Sequence, residues 1–214
     1  MKYQLVIFDL DGTILNTLDD LADSINYALD VHGYPMRSME EVRQFVGNGI
    51  RKLVERAVPQ ELALEAIDQV FDTFVSYYKE HSADKTKPYE GILESLDKIK
   101  ASGRKMAVVS NKADDAVQVL CQQYFPGMFD FVIGERKDMP KKPAPDSVYK
   151  VMEALGYDES QTVYVGDSEV DIETAFNGKI DSVLVEWGFR DKEFLLERGA
   201  KIVVASPKEM LEHI

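Results

Sequence analysis

The run Asp9-Leu10-Asp11-Gly12-Thr13 sets two carboxylates two residues apart, directly after the apolar stretch Leu5–Phe8. On a turn at a strand end both can face one cleft, with Gly12 permitting the sharp bend. Carboxylates and turn carbonyls are the hard oxygen ligands that Mg²⁺ prefers. The plain alternative is an acidic turn, since Asp-Gly is a common turn pair. A second acidic run, Gly166-Asp167-Ser168-Glu169-Val170-Asp171, follows the apolar stretch Val163–Val165. Asp167 would add a metal carboxylate. Asp171, four residues on, faces the same way if a helix begins here. Asp167 or Ser168 would also cap such a helix, and a cap can serve as a ligand. Ser110-Asn111-Lys112 follows Met106–Val109. A hydroxyl and backbone N–H groups at a helix start form an anion-binding arrangement, or only a cap. Lys141-Lys142-Pro143-Ala144-Pro145-Asp146 holds lysines against a stiff turn, and Pro145 can open the next helix. That pair is either a fixed positive charge or a solvated Lys pair.

The elements that must position these groups are legible as short β-rich runs: Leu5–Phe8, Met106–Val109, Phe131–Ile133, Val163–Val165, Val183–Val185 and Ile202–Val204. Helical spacings lie between most of them: Ile92, Leu93, Leu96 and Ile99; Val117, Leu120, Cys121 and Tyr124; Val148, Val151, Met152 and Leu155. The alternation predicts an α/β fold, a Rossmann-like parallel sheet with helices on both faces. Ligands of such sheets bind beyond the carboxyl ends of the strands. From Asn16 to Ala83 only helical stripes occur (Leu18, Leu21, Ile25, Ala28, Leu29; Ile50, Leu53, Val54, Ala57; Ile67, Val70, Phe71, Phe74, Tyr78). We therefore expect residues 1–15 and 84–214 to form the core and 16–83 an inserted helical subdomain.

With 25 Lys plus Arg against 38 Asp plus Glu, the net charge of −13 disfavours nucleic acid and anionic membrane as partners. No apolar run is long enough to span a bilayer, and residues 1–8 are too short for a signal-peptide core. The single cysteine, Cys121, excludes an intrachain disulfide and fits a reducing cytoplasm. It lies on an apolar helical stripe and reads as core. His32, His81 and His213 match no metal spacing, and His32, before Gly33, reads as a helix end. Trp187 either lines the cleft or packs the sheet edge. Oligomeric state is not readable.

Taken in order, Asp9-x-Asp11-Gly12-Thr13, Ser110-Asn111, Lys142-Pro143 and Gly166-Asp167-x-x-x-Asp171 resemble the haloacid dehalogenase superfamily over nearly the whole chain. The insert resembles the small helical cap of phosphoglycolate-phosphatase-like members. The resemblance implies a Mg²⁺-dependent phosphatase acting on a small phosphorylated metabolite, phosphoglycolate first, through an aspartyl-phosphate. It makes Asp9 the nucleophile and Asp11 the acid and then base. Ser110 and Lys142 would bind the phosphoryl group. Mg²⁺ would lie with Asp9, the carbonyl of Asp11 and Asp167, with Asp171 supporting Asp167 or orienting metal-bound water. Thr13, Asn111 and the cap loop Gly47-Asn48-Gly49 would contact substrate; the loop is equally a plain interhelical turn. A metal and Lys142 would offset the repulsion between the acidic surface and a phosphate. Family dehalogenases lack the second Asp. Phosphonate-cleaving members carry a cap lysine, for which Lys52 is in a suitable region, but Glu55 stands where the accompanying His belongs. No mutase-type cap-loop Arg matches. Pyrophosphate or sugar phosphates are alternative substrates. A non-catalytic phosphate- or protein-binding role is the alternative of another class, disfavoured because Asp9 and Asp11 are both present. Gly178-Lys179 departs from the branch's usual Ala-Gly.

Overall fold

The computed structural model describes residues 2–214. By its internal contacts the chain divides into two compact units, Met1–Leu15 with Pro88–Ile214, and Asn16–Lys87. In chain order the elements begin with β1 (Leu5–Phe8) and β2 (Leu15–Asn16). Four helices follow: α1 (Leu18–Val31), α2 (Met39–Phe45), α3 (Ile50–Ala57) and α4 (Leu64–His81). Then come β3 (Lys87–Pro88), α5 (Ile92–Ala101), β4 (Lys105–Ala113), α6 (Asp114–Tyr124), β5 (Phe131–Glu135) and α7 (Asp146–Leu155). The chain closes with β6 (Thr162–Gly166), α8 (Glu169–Asn177), β7 (Asp181–Val185), α9 (Lys192–Glu197), β8 (Val203–Val204) and α10 (Pro207–His213).

In the larger unit six parallel strands run in the order β5-β4-β1-β6-β7-β8. The chain builds outward from β1 through β4 to one edge, then returns through β6 to the other. The carboxyl ends of β4, β1 and β6 are therefore neighbours, at the point where the winding reverses. Leu5 and Ile7 of β1 join Ala107, Val109, Ile133 and Tyr164 under Val148, Val151 and Met152 of α7 and Ala175 of α8. Val6, Phe8, Met106 and Val108 point the other way and are equally buried, so both faces of the sheet are covered. Continuous apolar runs rather than alternating ones follow from that burial. All six expected strands are present. The two-residue strands β2 and β3 form a separate sheet and carry no sequence signal at that length.

Two local expectations change. Ser110–Lys112 do not begin a helix. Extended backbone continues through Ala113, which pairs with Glu135 after a register shift beyond Val109, and α6 starts only at Asp114. Pro145 precedes α7 as its N-cap rather than occupying its first turn. The Lys142–Pro143 peptide bond is cis.

The smaller unit is helical. The α1 stripe of Leu21, Ile25, Ala28 and Leu29 is buried, as are Val70, Phe74 and Tyr78 of α4. Tyr27 and Tyr77 stack at 4.0 Å. Asp20, almost fully buried, accepts the backbone N–H groups of Lys85 (2.9 Å) and Thr86 (2.8 Å). The short α2, whose apolar pattern is too brief to read, begins with a Ser38–Glu41 capping box.

At the end of α8 the unusual Gly178-Lys179 pair has a clear consequence. Gly178 is right-handed (φ −77°). Lys179 takes the left-handed conformation (φ 55°), as no other non-glycine does among the described residues. A Cβ in that region is disfavoured by about 1–2 kcal/mol. Lys179→Gly is expected to raise the free energy of unfolding by about 1 kcal/mol, read as a higher urea midpoint. An unchanged or lower midpoint would show that the lysine side chain offsets its own strain.

Candidate active site

The site residues of the larger unit gather because adjacent strands end at one level. Phe8 is in register with Val108 and Val165, and Asp9 N–H donates to Val165 O (2.9 Å). The chain then turns tightly, with Gly12 N–H donating to Leu15 O (2.9 Å) and Gly12 at φ 85°. A Cβ on Gly12 would strike Asp167 and Phe189. One on Gly188 would strike Asp167 and the Gly12 carbonyl. Glycine at both positions lets three loops close on one carboxylate.

Asp167 is that carboxylate. It is 1% exposed, with Oδ1 accepting from Thr13 Oγ1 (3.1 Å) and Oδ2 from Phe189 N–H (2.7 Å). Thr13 is fully buried, and its carbonyl accepts from Trp187 Nε1 (3.0 Å). Thr13 is thus committed on both sides to the loop itself. Trp187 ties the Glu186–Phe189 segment to the Asp9 turn.

Asp171, 0% exposed, is consumed by structure. Its Oδ2 accepts from Asp167 N–H (3.1 Å), Ser168 N–H (3.1 Å) and Ser168 Oγ (2.7 Å). Its Oδ1 accepts from Lys142 Nζ (2.8 Å). The N-cap of α8 is Ser168, and the cap and the buried ion pair share one side chain.

Lys142 stands at the centre of the charges. Its ammonium lies 2.8 Å from Asp171 Oδ1, 3.0 Å from Asp9 Oδ1 and 2.8 Å from the Tyr164 hydroxyl, which itself donates to Val109 O (3.1 Å). Burial alone would push this ammonium toward neutrality, but Asp171, Asp9 and Tyr164 hold its pKa well above the ordinary lysine value. Asp9 is pushed up to about 7 by burial and by the Asp171 and Asp11 charges, against the pull of Lys142. Asp167 is raised well above the usual carboxylate range, by burial first and then by Asp171 and Asp9. Asp9 Oδ1 is buried and accepts no hydrogen bond of good geometry, even with the ammonium beside it.

Asp9, Asp167 and Asp171 each offer an oxygen within 4.8 Å of the others. Three crowded, buried carboxylates, with the pKa values of Asp9 and Asp167 raised and one Asp9 oxygen orphaned, suit a hard divalent cation, which would relieve these conditions. The Asp11 carboxylate takes no part in that cluster, because it turns to Lys112 Nζ (3.1 Å).

Ser110 is buried and its Oγ accepts from Lys112 N–H (3.2 Å). Asn111 donates to Lys142 O (3.1 Å), steadying the loop behind the ammonium, and its buried Oδ1 has no partner. Ser110, Asn111 and Lys142 share the lining of a small cavity with Gly134, Met139 and Ser147. Gly47, Asn48 and Gly49 lie in the smaller unit between α2 and α3. There Gly47 (φ 113°) and Gly49 (φ 85°) need glycine, and Asn48 Oδ1 accepts from Arg56 Nη2 (2.7 Å). Cys121 is buried core, its thiol pushed up to about 12 by burial. His32 caps the end of α1.

Sequence reasoning missed Tyr164, Lys112 and the Phe189 N–H. Tyr164 did leave a signal, since a phenol in an apolar strand needs a partner for its hydroxyl. The Phe189 N–H left none, because backbone donors carry no side-chain signature.

The chain is 36% identical over 197 residues to a phosphoglycolate phosphatase of Psychrobacter arcticus, covering 88% of this chain and 86% of that one. It is 29% identical to a phosphoglycolate phosphatase of Aquifex aeolicus, covering 98% and 99%. The fold superposes on the crystal structure of a candidate phosphoglycolate phosphatase from Lactobacillus delbrueckii subsp. bulgaricus. That match has a TM-score of 0.96 and 37% identity, over 100% of this chain and 99% of that one. Residues 6–185, which run from β1 through β7 and so contain every strand end described above, match the haloacid dehalogenase-like hydrolase family, and the chain belongs to it.

Proposed function

We propose that the chain is a phosphomonoesterase whose nucleophile is Asp9, with phosphoglycolate as its leading substrate. The observation that carries the reading is the Lys142 ammonium 3.0 Å from Asp9, in a nest of buried carboxylates and with a second Asp two residues on. The names of the similar proteins support the substrate.

In the first half-reaction an Asp9 carboxylate oxygen bonds to phosphorus as the ester P–O bond breaks. Asp11 gives its proton to the leaving oxygen. In the second, water replaces Asp9 on phosphorus and returns a proton to Asp11, freeing phosphate. A carboxylate needs no activating base for such attack once ionised. Lys142 offsets charge on the transferring group, and Ser110 is its further donor. Asp9, Asp167 and the Asp11 carbonyl would hold Mg²⁺, with Asp171 in support. The ion would neutralise phosphoryl oxygens and lessen repulsion by the −13 surface. Residues 1–15 and 84–214 act in this reading as the catalytic core and 16–83 as a cap, with Gly47–Gly49 as its substrate-facing loop. No helix among the described residues is long and apolar enough to cross a membrane, and the single buried cysteine suits the cytoplasm.

Phosphate release from phosphoglycolate, pyrophosphate, sugar phosphates and an aryl phosphate, with Mg²⁺ and with EDTA, tests this. Mg²⁺-dependent release, fastest on phosphoglycolate, is expected, together with a Mg²⁺-induced rise in melting temperature. Release undiminished by EDTA overturns the metal assignment. Absence of release from every compound favours a binding protein.

A further inference from the structure

Lys112 has no role in the reading above, yet among the described residues it is the only side chain that hydrogen-bonds the Asp11 carboxylate. Its ammonium lies 3.1 Å from Oδ1 and 3.3 Å from Oδ2, across 101 residues of sequence. The lysine side chain is 4% exposed and that of Asp11 19%. The placement follows from the late end of β4. Lys112 lies in extended backbone beyond the register shift that follows Val109, and from there its side chain reaches Asp11 while Asn111 bonds to the Lys142 carbonyl. A helix starting at Ser110 would have turned residue 112 about 200° away from residue 110. An ammonium this shielded requires an anion. A carboxylate gripped through both oxygens loses the rotamer freedom of a short side chain on a turn.

We propose that Lys112 is the positioning residue of Asp11, holding its carboxyl aimed at the oxygen that leaves phosphorus. The inference rests on the phosphomonoesterase reading. The step it serves balances. The ester P–O bond breaks with its electron pair staying on the leaving oxygen, the Asp9–phosphorus bond forms, and the proton that Asp11 carries on one oxygen, while Lys112 holds the other, moves to the leaving oxygen. A misaimed Asp11 fails at this proton transfer, so alkyl esters, whose leaving oxygen needs the proton, suffer most. Aryl esters with an acidic leaving group do not need it in the first half-reaction and depend on Asp11 only when the aspartyl-phosphate is hydrolysed.

The test compares phosphoglycolate with 4-nitrophenyl phosphate in steady-state and first-turnover burst assays of wild type, Lys112→Met, Lys112→Gln and Lys112→Arg, with folding checked by circular dichroism. Lys112→Met is expected to lower kcat on phosphoglycolate about 10²-fold, the low end of a general-acid contribution. KM and the first-turnover burst of nitrophenolate, which precedes the Asp11-dependent hydrolysis of the aspartyl-phosphate, should be little changed. Lys112→Arg should recover most of the loss, and Lys112→Gln carries the same comparison if the Met variant does not fold. In an Asp11→Asn background Lys112→Met should cost nothing more. A nitrophenolate burst slowed as much as phosphoglycolate turnover, a loss confined to KM, or a further loss in the Asp11→Asn background each overturn the proposal. Should wild type cleave neither ester, the phosphomonoesterase reading itself falls, an outcome separate from all of these.

Discussion

Asp9→Asn is expected to reduce phosphate release by about 10⁴-fold or more, the order seen when an enzyme loses its nucleophile, while the protein stays folded. The side chain changes little in volume, and the Asp9 backbone remains tied to Val165. The substitution has a second readout independent of activity. Asp9 is raised to about 7 by burial and by its acidic neighbours. In the metal-free protein its contribution to stability is thus fully present below the unfolded carboxylate value and lost as pH rises through about 7. Asn does not titrate. The melting temperature of Asp9→Asn relative to wild type, measured in EDTA, should therefore improve from pH 5 to pH 8. Retained multiple turnover in a clean Asp9→Asn preparation would sink the covalent mechanism. A pH-independent difference in melting temperature would remove the claim that Asp9 is held in a charge-crowded site.

Asp171→Ala is expected to have the largest effect on stability, about 3–5 kcal/mol, the range for breaking a buried ion pair from one side. Its two oxygens take Lys142, two backbone N–H groups and the Ser168 hydroxyl, and no solvent reaches them. Removing them takes from the buried ammonium one of its two carboxylate partners and from α8 the Asp171 half of its capping box. Asp171→Asn is the informative partner, since it keeps one oxygen acceptor but turns the other end into a donor facing donors. It should lose nearly as much. Urea unfolding of both variants checks this. If Asp171→Ala unfolds within about 1 kcal/mol of wild type, the typical effect of a point change, Asp171 is not the support that its hydrogen bonds describe.

The six main strands were legible because a sheet covered on both faces demands unbroken apolar runs, and Leu5–Phe8 or Val163–Val165 can be little else. The acidic and basic groups were legible because strand ends carry the turns, and Asp9, Ser110 and Asp167 each follow such a run. The end of β4 was not. Ser110-Asn111-Lys112 has the composition of a helix start, and it is the pairing of Val109 and Ala113 on either side of it with β5, a distant segment, that keeps the stretch extended. That one difference decides where Lys112 points.

The sequence by itself determined which chemical groups are present, in what order, and that strand ends would bring acids and a lysine to one edge of a sheet. Strand register and side-chain alternation are local enough to be written in residue type. Only the tertiary structure decided who bonds to whom: Lys142 between Asp9, Asp171 and Tyr164, Asp167 against Thr13 and the Phe189 N–H, and Asp11 with Lys112. Those partners come from different strand ends far apart in the chain. A carboxylate at a given position accepts any donor within reach, and reach is set by packing rather than by the residue's own neighbours in sequence.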